Sequence, residues 1–548
     1  MKKPVKSPKP GASKKSVKQG AANKSQTTSR QPHQDENFFS LLSEAFESNI
    51  SLDPDYFSED SPFELFVDFL ETCKSDDIGQ DDRDELCAEL SESLSGLRVE
   101  ANSGDRNARE EIQEIYDLLE DELEDKSLSL PDIIMLGKIL SDAGWEVPEI
   151  LRQSVAEAFE SFSPSPNEIG SGDIMSPLRE VMEEAQEDPF EAYEFMVSML
   201  ASFPAEYGDT LLNELIFQND AALNYALIGF FLHPEETYCR SVAAGLALIA
   251  SKGPNESLMI ERLLRIRPWT PEDRQFQLDA VIKAMRPTAR PPVQSKAAKM
   301  IKGYASLCDG AGTMTIMATM RADKSYHICS IMIKSTGVSE VLMLEDMPKT
   351  QMDMIVRQLK SSIQTHEIDI EGIRKLLALS LAENHVFNVL PPFRLVQACE
   401  VLGIGTIPPD DSTPAEIFAA LLSELPLDQI GEKATIQAHQ DILDGELTEN
   451  WFEAGEALEN LLYPVKGKAR RIGKVLNVYL PTRREFWARQ CAFSALAMGG
   501  DSKSRLSNNF WKQLALVGRD IVSDKPLNQI PLMNKIAAIT VAAFESQE

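Results

Sequence analysis

Along most of this chain, apolar residues recur at the alternating three- and four-residue spacing that lines one face of a helix. After Ser61, the residues Phe63, Phe66, Val67 and Leu70 form such a stripe, and after Asn107 so do Ile112, Ile115, Tyr116, Leu119 and Leu123, with acids on the opposite side. Near the C-terminus, Phe510, Trp511, Leu514, Val517 and Ile521 predict one helix, and Met533, Ile536, Ala537, Thr540 and Phe544 predict the next. Start signals agree with the stripes. Ser61-Pro62-Phe63-Glu64, Asp188-Pro189-Phe190-Glu191 and Thr413-Pro414-Ala415-Glu416 each read cap, proline, any residue, acid. The cap side chain accepts from a free N–H, proline has no N–H to lose at the first helical position, and the acid bonds back to the cap. Thr270-Pro271-Glu272-Asp273 is a variant, and Asn107-Ala108-Arg109-Glu110 and Thr482-Arg483-Arg484-Glu485 are capping boxes without proline.

Between Pro189 and Met285 the pattern predicts five or six helices with breaks at Pro204, Asn219-Asp220, His233-Pro234, Gly253-Pro254 and Pro268. In rhythm this series resembles HEAT or armadillo-type helical repeats, which implies an extended surface for partners. After the break Pro287–Val293 the period changes to two. Thr313–Arg321, Tyr326–Ser335 and Val338–Leu344 predict a three-stranded meander, followed by a helix over Lys349–Ile363. The first strand places Thr313, Thr315, Thr319 and Arg321 on a face expected to be solvated or open to a partner. Helices resume from Ile368, with Gly403 as a helix end.

The expected fold class is therefore mostly α and multi-domain: helical arrays or bundles, HEAT-like in part, with a small α+β insertion near residues 303–363. The expected divisions are a disordered basic tail (1–36), an acidic helical domain (37–162) and a linker (163–177). A repeat-like or bundle domain (178–287), a linker (288–302), the α+β unit (303–365) and a C-terminal helical domain with a basic patch (366–548) follow. At 43% apolar and 26% charged residues the chain has an ordinary globular composition. No apolar run approaches the ~20 residues of a membrane span, and the basic start lacks the apolar segment of a secretory signal. Seven cysteines without a C-x-x-C pair point to reduced thiols in a cytoplasmic setting.

Charge changes the picture, because the net −32 is distributed unevenly. Residues 1–34 hold eight Lys and one Arg with no acid, whereas residues 35–125 hold 30 acids against five bases. Residues 464–519 reverse the sign, with twelve bases against Glu485 and Asp501. The candidate partner- or anion-binding residues there are Lys466, Lys468, Arg470, Arg471, Lys474, Arg483, Arg484 and Arg489, with Tyr479, Phe486, Trp487 and Trp511 nearby. Bases beside aromatics suit phosphates and stacked bases, an acidic protein, or salt bridges to the chain's own acidic region. Those alternatives stand side by side, for the basic tail as for this patch.

Signatures of catalysis are sparse. The chain has no G-x-x-x-x-G-K-[ST], H-E-x-x-H, G-x-S-x-G or EF-hand loop. Gly310-Ala311-Gly312 precedes a strand rather than a helix and reads as a turn. Cys308, His327 and Cys329 are the one candidate metal trio, and Cys308 with His327, near Asp309, the one candidate nucleophile and base. Both cysteines equally suit packing as small apolar groups. The function expected is a non-catalytic cytosolic interaction or adaptor protein, with no cofactor, a protein partner, possible self-association and no membrane contact. An enzyme centred on residues 308–329 and a nucleic-acid-associated protein are the two alternatives.

Overall fold

Ser61 opens the first helix as the pattern requires: its Oγ accepts from the Glu64 N–H at 3.2 Å, and the Glu64 carboxylate accepts from the Ser61 N–H at 3.0 Å. The computed structural model describes residues 61–74, 80–102, 105–161, 188–290 (apart from 219, 221 and 252–254) and 298–547 (apart from 424, 445–447 and 500–509). The basic tail, the linker 163–177, the early acidic region, Lys503 and Arg505 lie outside the described residues.

Five helices come first: α1 (Pro62–Cys73), α2 (Gln80–Asn102), α3 (Arg106–Glu124), α4 (Leu130–Asp142) and α5 (Glu149–Ser161). The repeat-like stretch holds α6 (Pro189–Ala201), α7 (Ala205–Gln218), the short α8 (Leu223–Leu227), α9 (Glu236–Ala250), α10 (Ser257–Ile266) and α11 (Glu272–Met285). Here α9 lies between α7 and α11, and α4 packs on α6, which joins the two regions.

The sheet has five antiparallel strands rather than three. These are β1 (Lys299–Ser306), β2 (Met314–Ala322), β3 (Ser325–Lys334), β4 (Gly337–Met347) and β5 (Thr365–Ile368), in the spatial order β4-β3-β2-β1-β5. β2, β3 and β4 are the expected meander, and α12 (Lys349–Ser362) is the helix expected after it. β1 escapes the pattern because Lys299, Lys302 and Gly303 interrupt its apolar alternation. Gly303 is needed there: a Cβ would stand 2.6 Å from the Ile368 carbonyl of β5. The threonine face of β2 is not solvated, which corrects the expectation. Thr315 is only 2% exposed, and Thr313 and Thr319 are buried too. On that face α12 folds back over the sheet, burying Met352, Ile355 and Leu359 against Met317, Ile328 and Leu344. The other face, with Ile316, Ala318 and Met320, joins the main core.

The C-terminal part begins with α13 (Ile370–Phe387) and α14 (Arg394–Val401), both packed on β4. Asn384 of α13 caps the edge of that strand: its Oδ1 accepts from the Val338 N–H at 2.9 Å and its Nδ2 donates to the Val338 carbonyl at 3.1 Å. An edge strand covered in this way offers fewer free groups to a foreign strand. The chain continues through α15 (Pro414–Ser423), α16 (Leu427–Ile430), α17 (Glu432–Asp444), α18 (Glu456–Leu462) and α19 (Lys468–Lys474). A single π-helical turn over Val475–Tyr479 leads to α20 (Arg484–Gly499), and α21 (Phe510–Val522) and α22 (Pro531–Gln547) complete it. The protein is thus mostly α and multi-domain, with one small antiparallel sheet. One contiguous apolar cluster runs from Leu65 to Phe544. Among the described residues no helix is long and apolar enough to cross a membrane.

Candidate functional site

The two constellations anticipated in the sequence fare differently once their neighbours are known. Cys308, His327 and Cys329 each answer to different surroundings. The Cys308 N–H donates to Ser494 Oγ of α20 at 3.1 Å, and its carbonyl accepts from the Trp451 indole at 3.0 Å. Cys329 is buried beside Cys399 of α14, and burial pushes its thiol well above the usual range; the Cys399 thiol is pushed up to about 12 by the same cause. Thiols shifted in that direction are poor nucleophiles at neutral pH. Among the described residues no three His, Cys, Asp or Glu side chains are grouped to hold a metal ion.

His327 lies at the end of the sheet, beside an open depression lined by Asp323, Lys324, Ser325, Asp346, Met347 and Pro348. Its Nδ1 accepts from the Asp346 N–H at 3.4 Å, and its Nε2 faces Ser325 Oγ at 3.4 Å. With Nδ1 accepting, the neutral ring carries its proton on Nε2. Ser325 Oγ itself donates to the Ala322 carbonyl at 3.1 Å. In this arrangement His327 offers Ser325 no basic nitrogen, so the pair lacks the polarity of a nucleophile and its base.

The eight basic candidates divide into two sets. Four arginines are committed to internal contacts. Arg471 pairs with Glu545 at 3.3 Å, donates to the Val465 carbonyl at 2.9 Å and lies over the Phe544 ring. Arg483 pairs with Glu453 at 3.1 Å and stacks 3.8 Å over Phe486; Glu453 also accepts from the Trp487 indole at 2.8 Å. Arg484 donates to the carbonyls of Ile521, Ser523 and Lys525, where its charge completes the negative end of α21. Arg489, only 6% exposed, pairs with Glu383 of α13 at 2.6 Å over the Phe493 ring. Guanidinium suits such places because its flat fork bonds in plane and stacks on rings.

Lys466, Lys468, Arg470 and Lys474 are the other set. All four are exposed, on α19 and the two residues that lead into it, and none forms an ion pair with another described residue. Arg470 and Lys474 stand one turn apart on α19, Lys468 opens that helix, Lys466 lies just before it and Val478 of the π turn follows, so exposed cations line this short segment. Two apolar side chains flank it: Tyr463 is 67% exposed and Val478 47%. The segment is anchored beneath by Arg471 on Glu545 and by α19 packing on α22. Exposed cations edged by apolar groups can recognise a carboxylate-rich surface. The sequence could not separate these four from the buried arginines, whose acidic and aromatic neighbours arrive from distant segments. Tyr463 and Val478 were missed because nothing local marks them as exposed.

Two family models match the chain: the Y4lR C-terminal helical domain over residues 415–545 and the Y4lR second domain over residues 204–288. The first includes the whole of the basic row. The chain is 21% identical over 417 residues to the uncharacterized protein y4lR of Sinorhizobium fredii (strain NBRC 101917 / NGR234), an alignment covering 73% of this chain and 77% of that protein. No solved structure matches.

Proposed function

We propose that this chain is a non-catalytic interaction protein of the cytoplasm, a helical scaffold that grips an acidic protein partner through the row Lys466, Lys468, Arg470 and Lys474. The observation that carries the reading is that these four cations are exposed and form no ion pair with another described residue, while four neighbouring arginines are committed to internal contacts. A short acidic segment fits better than nucleic acid. A duplex presents a uniform phosphate backbone, whereas the exposed Tyr463 and Val478 beside the cations suit the mixed polar and apolar surface of a protein. A compact carboxylate patch meets mainly the local field, within a Debye length of about 8 Å at physiological salt. In the same reading, residues 178–287 act as a HEAT-like unit, residues 303–365 as the α+β unit and residues 366–548 as the C-terminal domain that presents the row.

The test uses the full chain with fluorescent polyglutamate, heparin and single-stranded DNA as probes. Polyglutamate is expected to bind, and K466E/K468E/R470E/K474E to weaken it at least about tenfold with the melting curve unchanged, since exposed positions away from special features alter stability little. Undiminished polyglutamate binding by that variant would sink the reading. Preference for DNA over polyglutamate would move it to the nucleic-acid class.

A further inference from the structure

The acidic counterpart of this row is present in the same molecule. On α3, Ile115, Leu119 and Leu123 are buried, and the opposite side carries Glu114, Asp117, Glu120, Asp121 and Glu124, all exposed. Glu114, Asp117, Asp121 and Glu124 fall at i, i+3, i+7 and i+10, so neighbours along the stripe stand about 5–6 Å apart and the stripe is about 15 Å long. None of them forms an ion pair with another described residue; Asp117 accepts a hydrogen bond from Gln113. Arg470 and Lys474, at i and i+4 on α19, stand at a comparable separation.

Within one chain the two surfaces are built on different parts of the molecule. α3 packs against α1, α2 and α5, whereas α19 packs against α18, α22 and the π turn. Neither row forms an ion pair with another described residue. We propose that a second copy of this chain is the partner: the acidic stripe of α3 on one molecule docks on the Lys466–Lys474 row of another, with Tyr463 and Val478 as apolar edges. The inference rests on the proposed function and names its partner. The two faces differ, so the contact is head-to-tail, and a pair keeps the basic row free on one molecule and the acidic stripe free on the other. Such contacts form rings where the rotation closes and open chains where it does not. Association therefore grows with concentration and falls with salt.

Sedimentation velocity of the full chain tests this, with two charge-reversed variants, K466E/K468E/R470E/K474E and E114K/D117K/D121K/E124K. All eight positions are exposed, and circular dichroism verifies that each variant is folded. The wild type is expected to form oligomers at about 0.05 M salt and to dissociate at about 0.5 M, where the Debye length is roughly a third as long. Each variant alone, carrying rows of one sign only, is expected to stay monomeric, and an equimolar mixture of the two to associate again. A monomeric wild type at low salt overturns the proposal. So does association of either variant alone at the wild-type level, or a mixture that stays monomeric. The α3 variant retains the basic row and is expected to bind polyglutamate. If it does so while the wild type never self-associates, the second-copy partner falls and the acidic-partner reading stands; if the wild type binds no polyglutamate, that reading falls by itself.

Discussion

Arg483 and Arg470 are the same residue type with opposite tasks. Arg483 neutralises Glu453, a buried carboxylate whose other partner is the Trp487 indole, whereas Arg470 faces water. Removing a cation from a buried acid leaves a poorly solvated charge, and the partial exposure of Arg483 tempers that cost. R483A is expected to lower stability in urea unfolding by about 2 kcal/mol and R470A by less than about 0.5 kcal/mol; equal losses would contradict the division into two sets. His233 offers a second test. Its ring lies between Phe230 and Tyr238, its Nδ1 accepts from the Glu235 N–H at 3.0 Å, and burial pushes its pKa from 6.5 down to about 4. The folded value lies below the unfolded one, so protonation favours unfolding. The stability due to the neutral ring is complete above about pH 6.5 and is lost as the pH falls towards about 4, by up to about 3 kcal/mol. Burial displaces His366 and His439 in the same direction, so the informative quantity is a difference between proteins. H233N, which keeps an acceptor, is expected to lose less stability than the wild type between about pH 7 and about pH 4.5.

At the scale of elements, starts were legible wherever the cap and its N–H donor are close in sequence. Ser61, Asp188 and Thr413 all cap as their motifs require. Asn107 does not: Asp105 is the cap of α3, accepting from the Asn107 and Ala108 N–H groups at 2.8 and 3.3 Å. Thr482 turns its hydroxyl back to the Tyr479 carbonyl, because a 3-10 turn already occupies the entrance to α20. D105A is expected to cost about 1 kcal/mol and N107A only a few tenths, read from chemical denaturation. The strand edge gives a sharper case. Gly337 has φ +115°, and a Cβ there would lie 2.3 Å from the Asn384 carboxamide carbon. G337A is therefore expected to cost about 2 kcal/mol or more, from strain together with displacement of Asn384 from Val338. A change below about 0.5 kcal/mol would show that this edge is not held by Asn384. β1 had no comparable signal, since its lysines and glycine break the alternation and its pairing partners are distant in sequence.

Across the whole molecule, a few polar clamps hold helical regions to one another. Glu400 of α14 receives Arg262 at 2.9 Å and Arg265 at 3.1 Å, both from α10, and the Trp269 indole donates to the Ile407 carbonyl at 2.8 Å. E400A leaves two poorly solvated guanidinium groups facing each other at that junction. A loss of about 3 kcal/mol is expected, with calorimetry separating the melting of the α7–α11 region from that of the C-terminal part. A single unshifted transition would show that the apolar contacts alone couple them.

Helical class, many helix starts, the meander with its following helix and the segregation of charge were determined by the sequence itself. Their causes are local: an oxygen three residues from an amide, a stripe repeating each turn, a run of one sign. The tertiary structure alone decided which bases are committed to internal contacts. Arg471, Arg483 and Arg489 meet their acids across 74, 30 and 106 residues of chain. It also decided that α12 covers the threonine face of β2, and that the acids of α3 and the bases around α19 lie on separately packed helices. An isolated arginine and a paired one are written with the same letter. The difference is the desolvation and partner that folding supplies, and those come from segments no local pattern can bring together.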